Sequence, residues 1–116
     1  MFDFEKLEVY QKVKDQNKRI LKLIYRSNNI DHYLRDQWKR CTLSIALNIA
    51  EATGRVGKSE KKYFYAVARG SVFECVAILD ALTGIGVIEN SLSEELYHNY
   101  EQISKMLWAL HKSVGR

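Results

Sequence analysis

Apolar side chains recur three and four positions apart through four separate stretches of the chain, the spacing that draws one stripe along a helix. The first stretch covers residues 4–27 and holds Leu7, Val9, Tyr10, Val13, Ile20, Leu21, Leu23, Ile24 and Tyr25. Ser27, Asn28 and Asn29 stop it, because asparagine tolerates left-handed backbone and competes for backbone hydrogen bonds. The second, residues 32–53, follows a capping Asp31 and aligns Leu34, Trp38, Cys41, Ile45, Asn48 or Ile49, and Ala52 on one face. Gly54 is placed to end it in a left-handed turn. The third runs from residue 60 to 84 or 85 behind Ser59 as N-cap, with Phe64, Val67, Ala68, Ser71, Cys75, Ile78, Leu79 and Leu82 as its stripe. Gly84 and Gly86 close it. In the fourth, Ser91 and Glu94 have capping-box spacing. Leu96, Tyr100, Ile103, Leu107, Leu110 and Val114 then alternate at four and three, a heptad seam.

No segment alternates with period two long enough to make a strand, and the chain has no proline. Four helices of similar length on short loops fold most economically as one all-α domain over residues 1–116, an antiparallel up-down-up-down four-helix bundle. The middle helices carry more apolar surface than one bundle can bury. Across residues 41–52 only Thr42, Ser44, Asn48 and Glu51 are polar, and Leu43, Ala46, Leu47 and Ala50 lie off the stripe. Across residues 66–82 only Arg69, Ser71, Glu74 and Asp80 are polar. A helix of a lone bundle shows water a wide polar face. The expectation is a homo-oligomer in which the second and third helices are the most enclosed.

Charge is unevenly spread. Residues 1–70 hold fifteen Lys/Arg against eight Asp/Glu, and residues 71–116 hold three against six. On the first helix Lys12, Arg19 and Arg26 recur every seven residues, and Lys14, Lys18 and Lys22 every four, with Asp15 the one acid among them. Arg55, Lys58, Lys61 and Lys62 surround the start of the third helix. Lysines in a first helical turn oppose the dipole, so Lys61 and Lys62 call for something negative nearby. Lys12, Lys18, Arg19, Lys22, Arg26, Arg55, Lys58, Lys61 and Lys62 are therefore the candidate contacts to phosphate, with a solvated basic surface as the plainer reading. No interleaving of arginine and aromatics marks a base-reading module, so sequence-specific readout is not expected.

Other constellations read as structural. Arg40, Ser44, Asn48 and Glu51 share an edge of the second helix, with Arg69 and Glu74 on the third in position to meet them. A buried polar network that sets helix register or a subunit contact is favoured over a ligand site. Gly70 and Ser71 make a small-residue notch that suits close packing. ATGRVGKS, residues 52–59, satisfies a relaxed phosphate-loop string, but a helix precedes it where that loop needs a strand. His32, His98 and His111 have no metal-ligand spacing, and the Glu-x-x-His string at residues 95–98 occurs once where a dinuclear bundle site needs two. Trp108, Tyr97 and His111 read as a packing or contact surface. No nucleophile, base and orienting acid can be assembled. No enzyme activity, cofactor or metal is expected.

The longest uncharged run, residues 41–50, is too short to span a membrane. MFDFEKLEVY carries acids and no apolar core, so no secretory signal is expected. Cys41 and Cys75 read as reduced core thiols, and the expected location is cytoplasmic.

Residues 37–55, QWKRCTLSIALNIAEATGR, resemble the signature of the four-helix bundle family encoded by intervening sequences of bacterial 23S rRNA genes. FYAVARGSVFE at residues 64–74 is similar to that family's second motif, and FEKLEVYQK to its opening. Ala52 stands where the family usually has glycine, and Leu47 near where proline is common. The resemblance implies a bundle that assembles as a ring, typically a pentamer. It also implies association with ribosomal RNA, or with reverse transcriptase and nucleic acid as in related retroelement accessory proteins. The expected function is a non-enzymatic, RNA-associated assembly; the alternative is a protein-interaction adaptor that binds no nucleic acid.

Overall fold

A computed structural model describes residues 1–115. It contains a 3-10 turn, Asp3–Lys6, and four helices: α1 Glu8–Arg26, α2 His32–Gly54, α3 Lys58–Gly84 and α4 Asn90–Ser113. There is no strand among the described residues. α1 starts later than its stripe predicts because the backbone extends at Leu7 (φ −77°, ψ 131°). The break lets the turn fold back on α2, and the Phe4 ring meets Tyr10 edge to face at 4.8 Å between centroids.

The helix ends divide into those a side chain decides and those the backbone decides. Asp31 caps α2 as expected, its Oδ2 accepting from the amides of Tyr33 (3.0 Å) and Leu34 (3.3 Å). Gly54 is not a left-handed stop; it is the last helical residue, and Arg55 turns extended behind it. α3 begins at Lys58 behind Gly57, two residues before the start that a Ser59 cap would set. Likewise Glu89, not Ser91, is the N-cap position of α4, and no side chain caps it. Gly86 does end α3 in left-handed geometry (φ 79°). Its amide donates to the Thr83 carbonyl and that of Val87 to the Leu82 carbonyl, both at 3.0 Å, the two bonds of a Schellman cap.

Each helix packs on two others: α2 on α3, α3 on α4, α4 on α1 and α1 on α2. The core fills the space between them. It takes Val9, Val13, Ile20 and Ile24 from α1 and Trp38, Cys41, Ile45, Ile49 and Ala52 from α2. α3 adds Tyr65, Ala68, Val72, Cys75, Leu79 and Leu82, and α4 adds Leu96, Tyr100, Ile103 and Leu107. The predicted stripes face inward except at Tyr25, which is 71% exposed because at 100° per residue it falls among Lys14, Lys18 and Lys22 rather than beside Ile24. The gap between Val13 and Ile20 is filled by Gln16 and Asn17, both buried. Gln16 Nε2 donates to the Leu96 carbonyl (2.9 Å) and its Oε1 accepts from Asn99 (3.0 Å), while Asn17 Nδ2 donates to the Thr42 carbonyl (2.9 Å). These amides tie α1 to α4 and to α2 where it has no aliphatic residue to offer. The molecule measures 44 × 22 × 20 Å, and the 27-residue α3, about 40 Å at 1.5 Å per residue, runs nearly its full length.

Candidate functional site

Three surfaces carry the residues singled out above. The first is the outward face of α1. At 100° per residue, Lys14, Lys18, Lys22, Arg26, Arg19 and Lys12 fall on the arc opposite Val9, Val13, Ile20 and Ile24. Lys14, Lys18, Lys22 and Arg26 are exposed and Lys12 is half-buried. Among the described residues, none of these five has a carboxylate within 4 Å. Arg19 differs: its Nη2 lies 3.2 Å from Glu95 Oε1 of α4.

The second is the loop between α2 and α3, and there two of the four cations, Arg55 and Lys61, are spent internally. Lys61 Nζ donates to the carbonyls of Ala52 (3.2 Å) and Thr53 (3.3 Å), in the last turn of α2. The negative partner that its place in a first helical turn demands is thus the C-terminal end of the neighbouring helix. Arg55 pairs with Glu51 (2.8 Å) and Glu60 (3.6 Å), its guanidinium 4.8 Å from the Phe64 ring centroid. Lys58 is exposed and Lys62 half-buried, and these two alone among the four have no such bond within the described residues.

The third is the outward side of α2 and α3. Leu43 (48% exposed), Leu47 (62%), Tyr63 (62%) and Phe73 (55%) face away from the core, with Ala66, Gly70, Ala77 and Ala81 completing the exposed face of α3. A Cβ built on Gly70 meets nothing within 4 Å, so no contact within the chain explains a glycine there. The expected buried polar network is an open cleft in this same surface, about 310 Å³, lined by Gln37, Arg40, Cys41, Ser44, Ser71 and Glu74. Ser44 Oγ and Ser71 Oγ bond across it at 2.7 Å, and Asn48 Nδ2 donates to the Ser44 carbonyl (2.8 Å) and to Ser44 Oγ (3.0 Å). Arg40, Glu51 and Glu74 are exposed rather than buried. Arg69 does not join them. It lies toward α4, its guanidinium 4.8 Å from the Phe73 ring centroid and 5.3 Å from that of Trp108, which stacks on His111. The helix wheel misassigned Arg69 because periodicity places a residue on a face without saying which neighbour that face meets.

Behind the cleft sits a pair the stripes implied without relating its members. Cys41 and Cys75 are free, buried, and 3.0 Å apart at Sγ, with Thr42 Oγ1 3.9 Å from Cys75. Hydrogen bonds from Cys41 and Thr42 to the Cys75 sulfur outweigh burial and pull its thiol down. The same bond, then burial and the like charge of a Cys75 thiolate, push Cys41 up. Burial also pushes Tyr65 and, more strongly, Tyr100 above the ordinary tyrosine value. Among the described residues no group of three or more His, Cys, Asp or Glu is placed to hold a metal ion, and no helix is long and apolar enough to cross a membrane.

A family model described as 23S rRNA-intervening sequence protein matches residues 5–109. A crystal structure of a protein of unknown function from the S23 ribosomal protein family of Bacteroides thetaiotaomicron shares the fold at a TM-score of 0.83 and 21% identity, over 90% of this chain and 98% of that one. No curated protein matches.

Proposed function

The chain belongs to the family of 23S rRNA-intervening sequence proteins, and from that premise we propose that it acts by binding rather than turnover: an antiparallel up-down-up-down bundle that assembles with copies of itself and holds RNA phosphates on α1. The antiparallel arrangement is supported by paired contacts that run in opposite directions along neighbouring helices. Ser44 meets Ser71 while Ala52 meets Lys61; Thr83 meets Ser93 while Arg69 meets Trp108. Self-assembly is supported by the apolar outer side of α2 and α3, which a monomer would leave wet. A contact joining unlike faces of successive copies closes into a ring, and five copies is the number the resemblance implies.

The observation that carries RNA binding is the separation of charge on α1, cations on one arc and core on the other, with five of the six cations unpaired by carboxylate among the described residues. Such a surface gains affinity by releasing counterions from phosphate, so it reads no sequence and weakens steeply with salt. A ring repeats the weak site and raises avidity without any new contact. Of the α2–α3 loop, only Lys58 and Lys62 are left to contribute.

RNA retention across a salt titration tests this. Lys18→Glu with Lys22→Glu is expected to weaken retention and to flatten the salt slope by about 1.4 or more, roughly 0.7 per lost phosphate contact on single strands. Lys61→Glu is expected to lower stability with little change of slope, because its ammonium serves α2. Wild-type protein that shows no salt-sensitive retention overturns the RNA reading in favour of the protein-interaction adaptor.

A further inference from the structure

We infer that Cys41 and Cys75 form an oxidation site for hydrogen peroxide, whose product is an intramolecular disulfide joining α2 to α3. The two sulfurs already face each other at 3.0 Å from adjacent helices, so an approach of about 1 Å completes the bond. Cys41 lines the floor of the Arg40–Glu74 cleft, and Cys75 lies directly behind it with no exposure of its own. That order gives each thiol a role. A small oxidant entering the cleft meets Cys41 first, and Cys75 is the only other thiol in the chain and sits within reach to resolve the product.

The chemistry closes without a further reagent. The pair loses one proton to solvent and keeps the other on Cys41; transfer of that proton across the 3.0 Å gap to the Cys75 sulfur leaves the Cys41 sulfur negative. The Cys41 sulfur attacks one peroxide oxygen, the O–O bond breaks, and the departing hydroxide takes the proton from Cys75 to leave as water. Cys41 is then a sulfenic acid. The Cys75 thiolate attacks that sulfur, the S–O bond breaks, and a second hydroxide leaves as water. Two thiols have lost two electrons and two protons, and one peroxide has become two waters. An external thiol reverses the product by exchange.

The test is intact-mass analysis of native, reduced protein after peroxide, followed by alkylation in denaturant. The expected result is a chain lighter by about 2 Da that takes up no alkylating agent, runs as a monomer on a non-reducing gel, and recovers both thiols with a reductant. Two alkylatable thiols after treatment, or only intermolecular and sulfonic products, overturn the inference. Cys75→Ala, chosen over serine to keep the core apolar, is expected to stop at a Cys41 sulfenic acid that a cyclic dione traps. Failure of that trap in a folded variant overturns the assigned order. Should the variant not fold, the rate of peroxide oxidation in native wild type against that in denaturant decides: native protein is expected to form the disulfide faster, and a slower native rate overturns the site.

Discussion

Gln16 and Asn17 occupy the one place on α1 where the apolar stripe lapses, and their buried amides do what aliphatic side chains do elsewhere, but with direction. Gln16→Ala removes the donor to Leu96 and the acceptor for Asn99 together. It is expected to destabilise the fold by about 1–3 kcal/mol, because both bonds between α1 and α4 are lost and the Asn99 amide is left without its acceptor. Urea unfolding at constant m-value measures it. The buried tyrosines make a second residue-level case. Tyr65 and Tyr100 are raised above the ordinary value of 10.0 by burial, so the fold favours their protonated forms. That contribution is whole below about pH 10 and drains away as pH climbs through the unfolded value toward the folded ones. Stability is therefore expected to fall on the alkaline side of pH 10, and Tyr100→Phe to flatten the decline in pH-dependent melting curves.

At the scale of the element, the caps separate what a local motif promises from what the chain uses. Asp31 accepts two amides, and Asp31→Ala is expected to cost about 1 kcal/mol. Ser91 has the same sequence credentials, yet α4 begins before it at Asn90, and Ser91→Ala is expected to fall within about 0.5 kcal/mol of wild type. Paired thermal melts of the two variants discriminate between these roles. The N-cap position falls at Glu89, two residues before Ser91, so the serine–glutamate spacing alone could not fix the start.

For the whole molecule, the question is what the outer side of α2 and α3 touches. Gly70 is exposed and unobstructed in the single chain, so Gly70→Ala is expected to stabilise α3, by up to about 1 kcal/mol, unless a neighbouring copy occupies that space. Gly70→Leu and Phe73→Glu are expected to shift the sedimenting species to the 13.5 kDa chain while leaving helical content intact. Monomers of wild-type protein at micromolar concentration would remove the assembly, and with it the avidity argued for RNA.

Four helices, their inward stripes and the excess of apolar residues on the middle pair were all legible in the order of residues, because helical periodicity is a local property and burial follows it. The family was legible too, in two motifs of fixed spacing. Relations between helices were not. That Lys61 caps α2, that Arg69 turns to Trp108 instead of the Arg40 edge, and that Cys41 meets Cys75 at 3.0 Å depend on axial stagger and on which neighbour each face meets. Those are set by how whole side-chain surfaces interlock, a sum over many contacts that no single stretch of sequence contains.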